Sequence, residues 1–345
     1  MLCGSRSSSR RWRSCSARCD EEMSEYAFLL AKIRGKLARM VELPVYEDLL
    51  KSADLETVLD RLRETMYGPY LAEAPELERL TDRLRQGFFS DISSLLLSLD
   101  RADRGLLGDV LARYRIENIK TIIRGYLHRL PPEEVKKKLL ALPWESFDYE
   151  RLLRLPGLDS LIKELPWREE RAHLEAVHGQ VGEAENPFPY EAELDALYLK
   201  RLIGHWRWRE EGVKRILGNR LLKETLTWAY RLKGYGRSFP EIINILPDFR
   251  PLLPLEELQA ILEEEEGWRR LRRWLSATLA RELEGTERFD LDLLTKLFDE
   301  QLLLSIRKAL IVEPLGIAIV LGYTYWKELE LARLIGLLER ARVRL

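Results

Sequence analysis

Cysteine is scarce in this 345-residue chain, and all three, Cys3, Cys15 and Cys19, precede Met23. The body beyond Met23 can hold no disulfide framework, which suits a reducing cytoplasm. The three lie at wide spacing with no C-x-x-C pair, a pattern that fits no zinc site. Histidine is as sparse, at His128, His173, His178 and His205. His173 and His178 miss the i, i+4 register that sets two ligands on one helix face, and there is no H-E-x-x-H. Structural histidines are expected, with no metal and no other cofactor.

Catalytic signatures are missing too. No G-x-x-x-x-G-K-[ST] phosphate loop occurs: Gly234-Tyr235-Gly236-Arg237-Ser238 has the wrong spacing and no lysine. The chain is therefore not expected to hydrolyse ATP by itself. No G-x-S-x-G nucleophile turn is present. Acid pairs abound, but in a chain that is 33% charged they belong on solvated faces. No catalytic residue is assigned, and the chain reads as a non-enzyme. The formal net charge of −1 gives no reason to expect nucleic acid as a partner.

Long apolar runs are lacking as well. The longest, Leu310 to Tyr325, is interrupted by Glu313-Pro314 and closed by Lys327-Glu328. About a dozen apolar residues remain, against the roughly 20 a bilayer span needs. A buried core helix is expected there, with Pro314 in its first turn.

What is present is helical periodicity. Leu29, Leu30, Ile33 and Leu37 share one stripe; Leu77, Leu80, Leu84, Phe88, Ile92, Leu95 and Leu99 share another. Leu194, Leu197, Tyr198 and Leu202 repeat the pattern, as do Leu291, Leu294, Leu297, Phe298 and Leu302. Period-2 alternation is nearly absent, and Gly/Pro breakers such as Tyr67-Gly68-Pro69, Leu130-Pro131-Pro132 and Asn186-Pro187-Phe188-Pro189 separate the stripes. The fold class is all-α.

A short cassette recurs about a hundred residues apart each time, the size of a small domain. It reads Leu55-Glu56-Thr57-Val58 with Leu62, Leu158-Asp159-Ser160-Leu161 with Leu165, and Leu255-Glu256-Glu257-Leu258 with Leu262. Each places an acid near a helix N-terminus and apolar residues at i, i+3 and i+7. Leu55, Leu158 and Leu255 are expected in the core. Ahead of the later cassettes lie two related helices, Glu117 to Tyr126 and Glu224 to Lys233, each opening with Glu and carrying Arg seven residues on. Two turns separate Glu117 from Arg124, so direct contact between them is not expected. Three similar helical domains follow, over 23–112, 113–215 and 216–345, in pseudo-threefold order. Residues 1–22, rich in Ser and Arg, read as a disordered tail or a mis-assigned start with Met23 as initiator.

Several strings resemble the C-subunit family of V-type and archaeal A-type ATP synthases, related to the vacuolar d subunit. They are Ala31-Lys32-Ile33-Arg34, Asp54 to Leu59 leading into Thr65-Met66-Tyr67-Gly68-Pro69, Glu117 to Arg124, and Glu313-Pro314-Leu315-Gly316 on to Tyr325-Trp326-Lys327-Glu328-Leu329-Glu330. Arg333 and Thr225 depart from the family pattern, which usually has Asn at the former; the middle copy has Asn118 at the position of the latter. The resemblance implies a funnel of three helical domains on the cytoplasmic face of a membrane rotor ring, seating the central-stalk D and F subunits and transmitting torque without bond chemistry. Under it Arg34, Arg124 and Arg231 are candidate partner-binding residues, the other reading being helix packing or dipole pairing. Trp206, Trp208, Trp268, Trp274 and Trp326 are open to the same two readings. The competing function is a free-standing helical repeat scaffold of another cytosolic complex.

Overall fold

The computed structural model describes residues 26–343 apart from 42–44, 47, 50–54, 66, 72–76, 182–185, 208–209 and 288. The cysteines and the expected 1–22 tail lie outside the described residues. Every regular element among those described is helical, as the periodicity requires. The long helices are α1 (26–37), α2 (Leu77–Leu96), α3 (Arg101–Leu127), α4 (Arg168–Val181), α5 (Phe188–Arg207), α6 (Glu211–Gly234), α7 (Leu291–Val312) and α8 (Ile317–Val343). Two compact units result: one combines the chain up to Asp100 with Ile306–Leu345, the other is Arg101–Ser305.

In the first unit α8 packs along α2 and against the cassette helix Leu55–Arg63. The α2 stripe Leu80, Leu84, Phe88, Ile92 and Leu95 is buried, as are Ile319, Val320, Leu321, Tyr323 and Tyr325 of α8. A Cβ on Gly68 would lie 2.3 Å from the Arg63 carbonyl oxygen, so this turn admits glycine alone without a backbone shift. The apolar run from Leu310 is not one helix. It ends α7 at Val312, turns through Glu313 to Gly316 and resumes in α8 at Ile317. Pro314 lacks an N–H and steers its predecessor out of the helical region, which places it in a connection rather than in a first turn. Among the described residues no helix is long and apolar enough to cross a membrane.

In the second unit α5 packs on α3, α4 and α6. Helix α3 buries Leu106, Leu107, Val110, Leu111, Ile119, Ile122 and Ile123, an apolar surface wide enough to mark it as central. A further core gathers Leu226, Ala229, Phe249, Leu253, Leu258, Leu271, Leu283, Leu294 and Phe298. The cassettes form helices Leu158–Glu164 and Leu255–Glu263, but their leading leucines are only half-buried. The core residues are Leu161, Ile162 and Leu165 in one, and Leu258, Ile261 and Leu262 in the other. Leu158 and Leu255 are the first residues of short helices, still at the exit of the preceding turn, so the core-facing stripe starts one turn later. The side chain of Leu55 lies outside the described residues; Val58 and Leu62 of the same helix are fully buried.

Candidate functional site

The strings that carry chemistry do three different things. In the first unit they meet in a buried polar cluster. Glu330 accepts hydrogen bonds from the Val41 amide at 2.5 Å, from Lys327 at 2.6 Å and from the Tyr67 hydroxyl. Lys327, 1% exposed, also donates to the Tyr67 hydroxyl and lies 4.2 Å from the centre of that ring. Nearby Asp91 accepts from Tyr323 and pairs with Lys36, while Lys32 donates to the Ser94 carbonyl at 2.8 Å. Burial raises the Tyr67 pKa, and the adjoining Glu330 carboxylate raises it further. Burial pulls the Lys327 ammonium down, with Glu330 opposing. Buried at Tyr67, Lys327 and Glu330 and partly exposed at Lys36 and Asp91, this cluster welds α1, α2, α8 and the Tyr67 turn.

Asn118 has a second structural task. Its amide donates to the Leu140 carbonyl at 2.9 Å and accepts from the Leu140 amide at 2.7 Å, pinning an irregular segment to α3. Thr225, at the matching place in the next copy, has a buried hydroxyl without a hydrogen-bond partner, so the departure in sequence loses that tie.

The third element is open to a partner. A cleft of about 180 Å³ lies among α3, α5 and α6, walled by Arg113, Glu117, Lys120, Asp195, Glu224 and Arg231 and floored by Ile116, Tyr198, Leu199 and Trp228. Lys120 of α3 pairs with Asp195 of α5. Burial raises the Asp195 pKa, and Glu117 and Glu224 add to it, whereas Lys120 opposes. Glu224 accepts from Arg220 at 2.8 Å. Its burial favours protonation, but Arg220, Arg113, Lys223 and Arg231 together hold it ionised. The wall therefore carries charges of both signs.

Two of the three candidate arginines belong to this neighbourhood. Arg231 stands exposed on the cleft edge. Arg124 donates to Glu191 at 2.5 Å and to Glu117 at 3.1 Å. The Glu117–Arg124 contact corrects the expectation from spacing: Cβ atoms two turns apart are distant, but a long guanidinium side chain lying along the helix spans the gap. Arg34 is exposed on α1 of the other unit. Three of the four histidines engage different neighbours, His178 with Tyr190 at 2.8 Å, His205 with Asp109 at 2.7 Å and His173 with Glu193. No cluster among the described residues could hold a metal ion. Trp268 stacks on Phe289 with centroids 5.3 Å apart, and Trp206 donates to the Lys214 carbonyl at 3.0 Å, both half-buried packing roles. Trp208 lies outside the described residues.

Reading by motif gave no role to Lys120, inside the Glu117–Arg124 string, and passed over Asp195, and with them a recurring device. Asp91, Asp195 and Asp299 fall at equal intervals along the chain. Each is clasped by a lysine from another helix: Lys36, Lys120 and Lys223, the last at 2.5 Å. The even spacing was visible in the sequence, but the lysines are not evenly spaced, and only the fold identifies them as partners.

The described residues thus form an all-α protein in which a Lys–Asp clasp is used three times and a cleft is lined by charges of both signs. The pattern of the family described as ATP synthase (C/AC39) subunit matches residues 29–345, and the chain belongs to that family. It is 24% identical over 334 residues to the A-type ATP synthase C subunit of Methanocaldococcus jannaschii, covering 91% of this chain and 82% of that protein. It is 22% identical over 329 residues to the A-type ATP synthase C subunit of Thermococcus kodakarensis, covering 90% and 84%.

Proposed function

We propose that this chain is a non-catalytic central-stalk component of an A/V-type rotary ATP synthase. It seats the D–F stalk on the membrane rotor ring, at the cytoplasmic face, and transmits torque between ion flow and ATP synthesis or hydrolysis. The observation that carries the reading is the family match over essentially the whole described chain. Three helical repeats, 23–112, 113–215 and 216–345, form the proposed seat, and the thrice-used Lys–Asp clasp supports that division. Arg231 and Arg124 beside the cleft, with Arg34, meet the charged surface of the stalk. A cleft lined by both signs suits this task, since complementary charge guides docking and fixes orientation more than it adds raw affinity.

The test is reconstitution of the purified chain with the D and F stalk proteins and with the detergent-solubilised rotor ring at moderate salt. Binding to both is expected, and Arg231→Glu should slow stalk association and change its salt dependence. A wild-type chain that captures neither component rejects the reading.

A further inference from the structure

Large apolar side chains stand exposed at one place in particular. Ile311 is 80% exposed, Val312 62% and Leu315 46%, all within the last turn of α7 and the connection after it. Contiguous exposure of this kind marks an interaction site more often than scattered surface leucines do. Lys308 shares the helix face of Ile311 and Val312, being three and four residues back. Lys308 and Arg307 are both exposed, and the Arg307 guanidinium lies 5.6 Å from the centre of the Trp326 ring. Glu313, the acid of this segment, is half-buried, and its amide donates to the Ala309 carbonyl at 2.9 Å.

The arrangement is an apolar tip with a basic collar one turn behind it. Four residues of helix rise about 6 Å, which matches the 5–10 Å to which interfacial apolar faces sink into a leaflet. With the tip at the headgroup–acyl boundary, the Lys308 ammonium would lie at the level of the lipid phosphates. A protein partner would require a complementary surface of about 800 Å² on each side. A helix end with three exposed apolar side chains supplies much less, whereas a fluid leaflet adapts its shape to whatever enters it.

We propose that this helix end is a lipid contact, inserting Ile311, Val312 and Leu315 into an anionic bilayer surface while Lys308 and Arg307 engage the headgroup phosphates. The contact is monotopic, weak and reversible, as expected for one small apolar tip assisted by two cations. It goes beyond the rotary-stalk reading, which calls only for protein contacts.

Flotation of the full-length chain with vesicles tests it, comparing phosphatidylcholine alone with phosphatidylcholine containing phosphatidylglycerol. The wild type should float with the anionic vesicles and be released by salt. Ile311→Asp/Val312→Asp should abolish flotation, and Lys308→Gln should weaken it about fivefold, the value of one cation near such a surface. Because these side chains face water, helical circular dichroism and Tm should match the wild type in both variants. Failure of the wild type to float, equal flotation with neutral vesicles, or flotation unchanged in the double variant would overturn the proposal. So would a double variant that still floats but no longer binds solubilised rotor ring, since the tip would then face protein. Stalk capture measured in detergent without vesicles is read separately, so a failed lipid contact leaves the rotary reading standing.

Discussion

Lys327 and Glu330, one turn apart on α8, pair at 2.6 Å inside the protein, with the Tyr67 hydroxyl closing on both. An i, i+3 pair on a charged helix would ordinarily be solvated and contribute a few tenths of a kcal/mol. Here the surrounding helices remove water, and the two charges become mutually dependent. Lys327→Met or Glu330→Leu alone should destabilise the protein by about 3–5 kcal/mol, because each strands a buried charge. The double variant should cost much less than the sum of the two, and a double-mutant cycle by urea unfolding measures the difference.

Glu170 gives a pH prediction. It is 1% exposed and accepts from both guanidinium nitrogens of Arg201, each at 2.9 Å, and from Arg115 at 2.8 Å. Burial alone would raise its pKa, but the Arg201 bonds and the Arg115 charge outweigh that and hold it at about 2. A carboxylate depressed in the folded state stabilises fully above its unfolded pKa of about 4.3 and loses that contribution as pH falls toward 2. Wild-type stability should therefore fall across this window by an amount that Glu170→Gln lacks. Parallel acid titrations of Tm check the difference.

The cassette phase can be tested by a pair of truncations. Leu161→Ala removes a fully buried side chain and should cost about 2–5 kcal/mol. Leu158→Ala, at a half-buried position, should cost clearly less. Equal losses in denaturant unfolding would show that both leucines face the core.

Gly125 lies where α3 passes the short helix Pro132–Lys136. A Cβ there would fall 2.5 Å from a methyl of Val135. Gly125→Ala should overpack this contact by about 1–3 kcal/mol, and Val135→Ala should relieve the clash in the double variant. Thermal unfolding of the three variants measures the rescue.

Helix stripes such as Leu80–Leu84–Phe88 were legible because burial on one face imposes a local period, and the all-α class followed from them. The phase of a stripe is less legible. Leu158 satisfies the pattern yet begins its helix at a turn, and only the packing partner shows that the core starts at Leu161. The Glu117–Arg124 contact escaped a spacing rule that considers where side chains start rather than how far they reach. Lys327 and Glu330 could not be told from a surface pair, since the tyrosine that encloses Lys327 is 260 residues away. In the cleft, Arg231 was found through the repeat, whereas Lys120 sat in the Glu117–Arg124 string without a role, Asp195 carried no motif, and the two come together only through the packing of α3 with α5.

The clasp between Lys120 and Asp195 also places a charged tie between α3 and α5 in the wall of the cleft. Lys120 is only 7% exposed, whereas the Asp195 side chain is 28% exposed. Water therefore reaches the pair chiefly from the carboxylate side. Anything that fills the cleft from that side would strip this water and strengthen the attraction between the two charges, drawing the helices more firmly together.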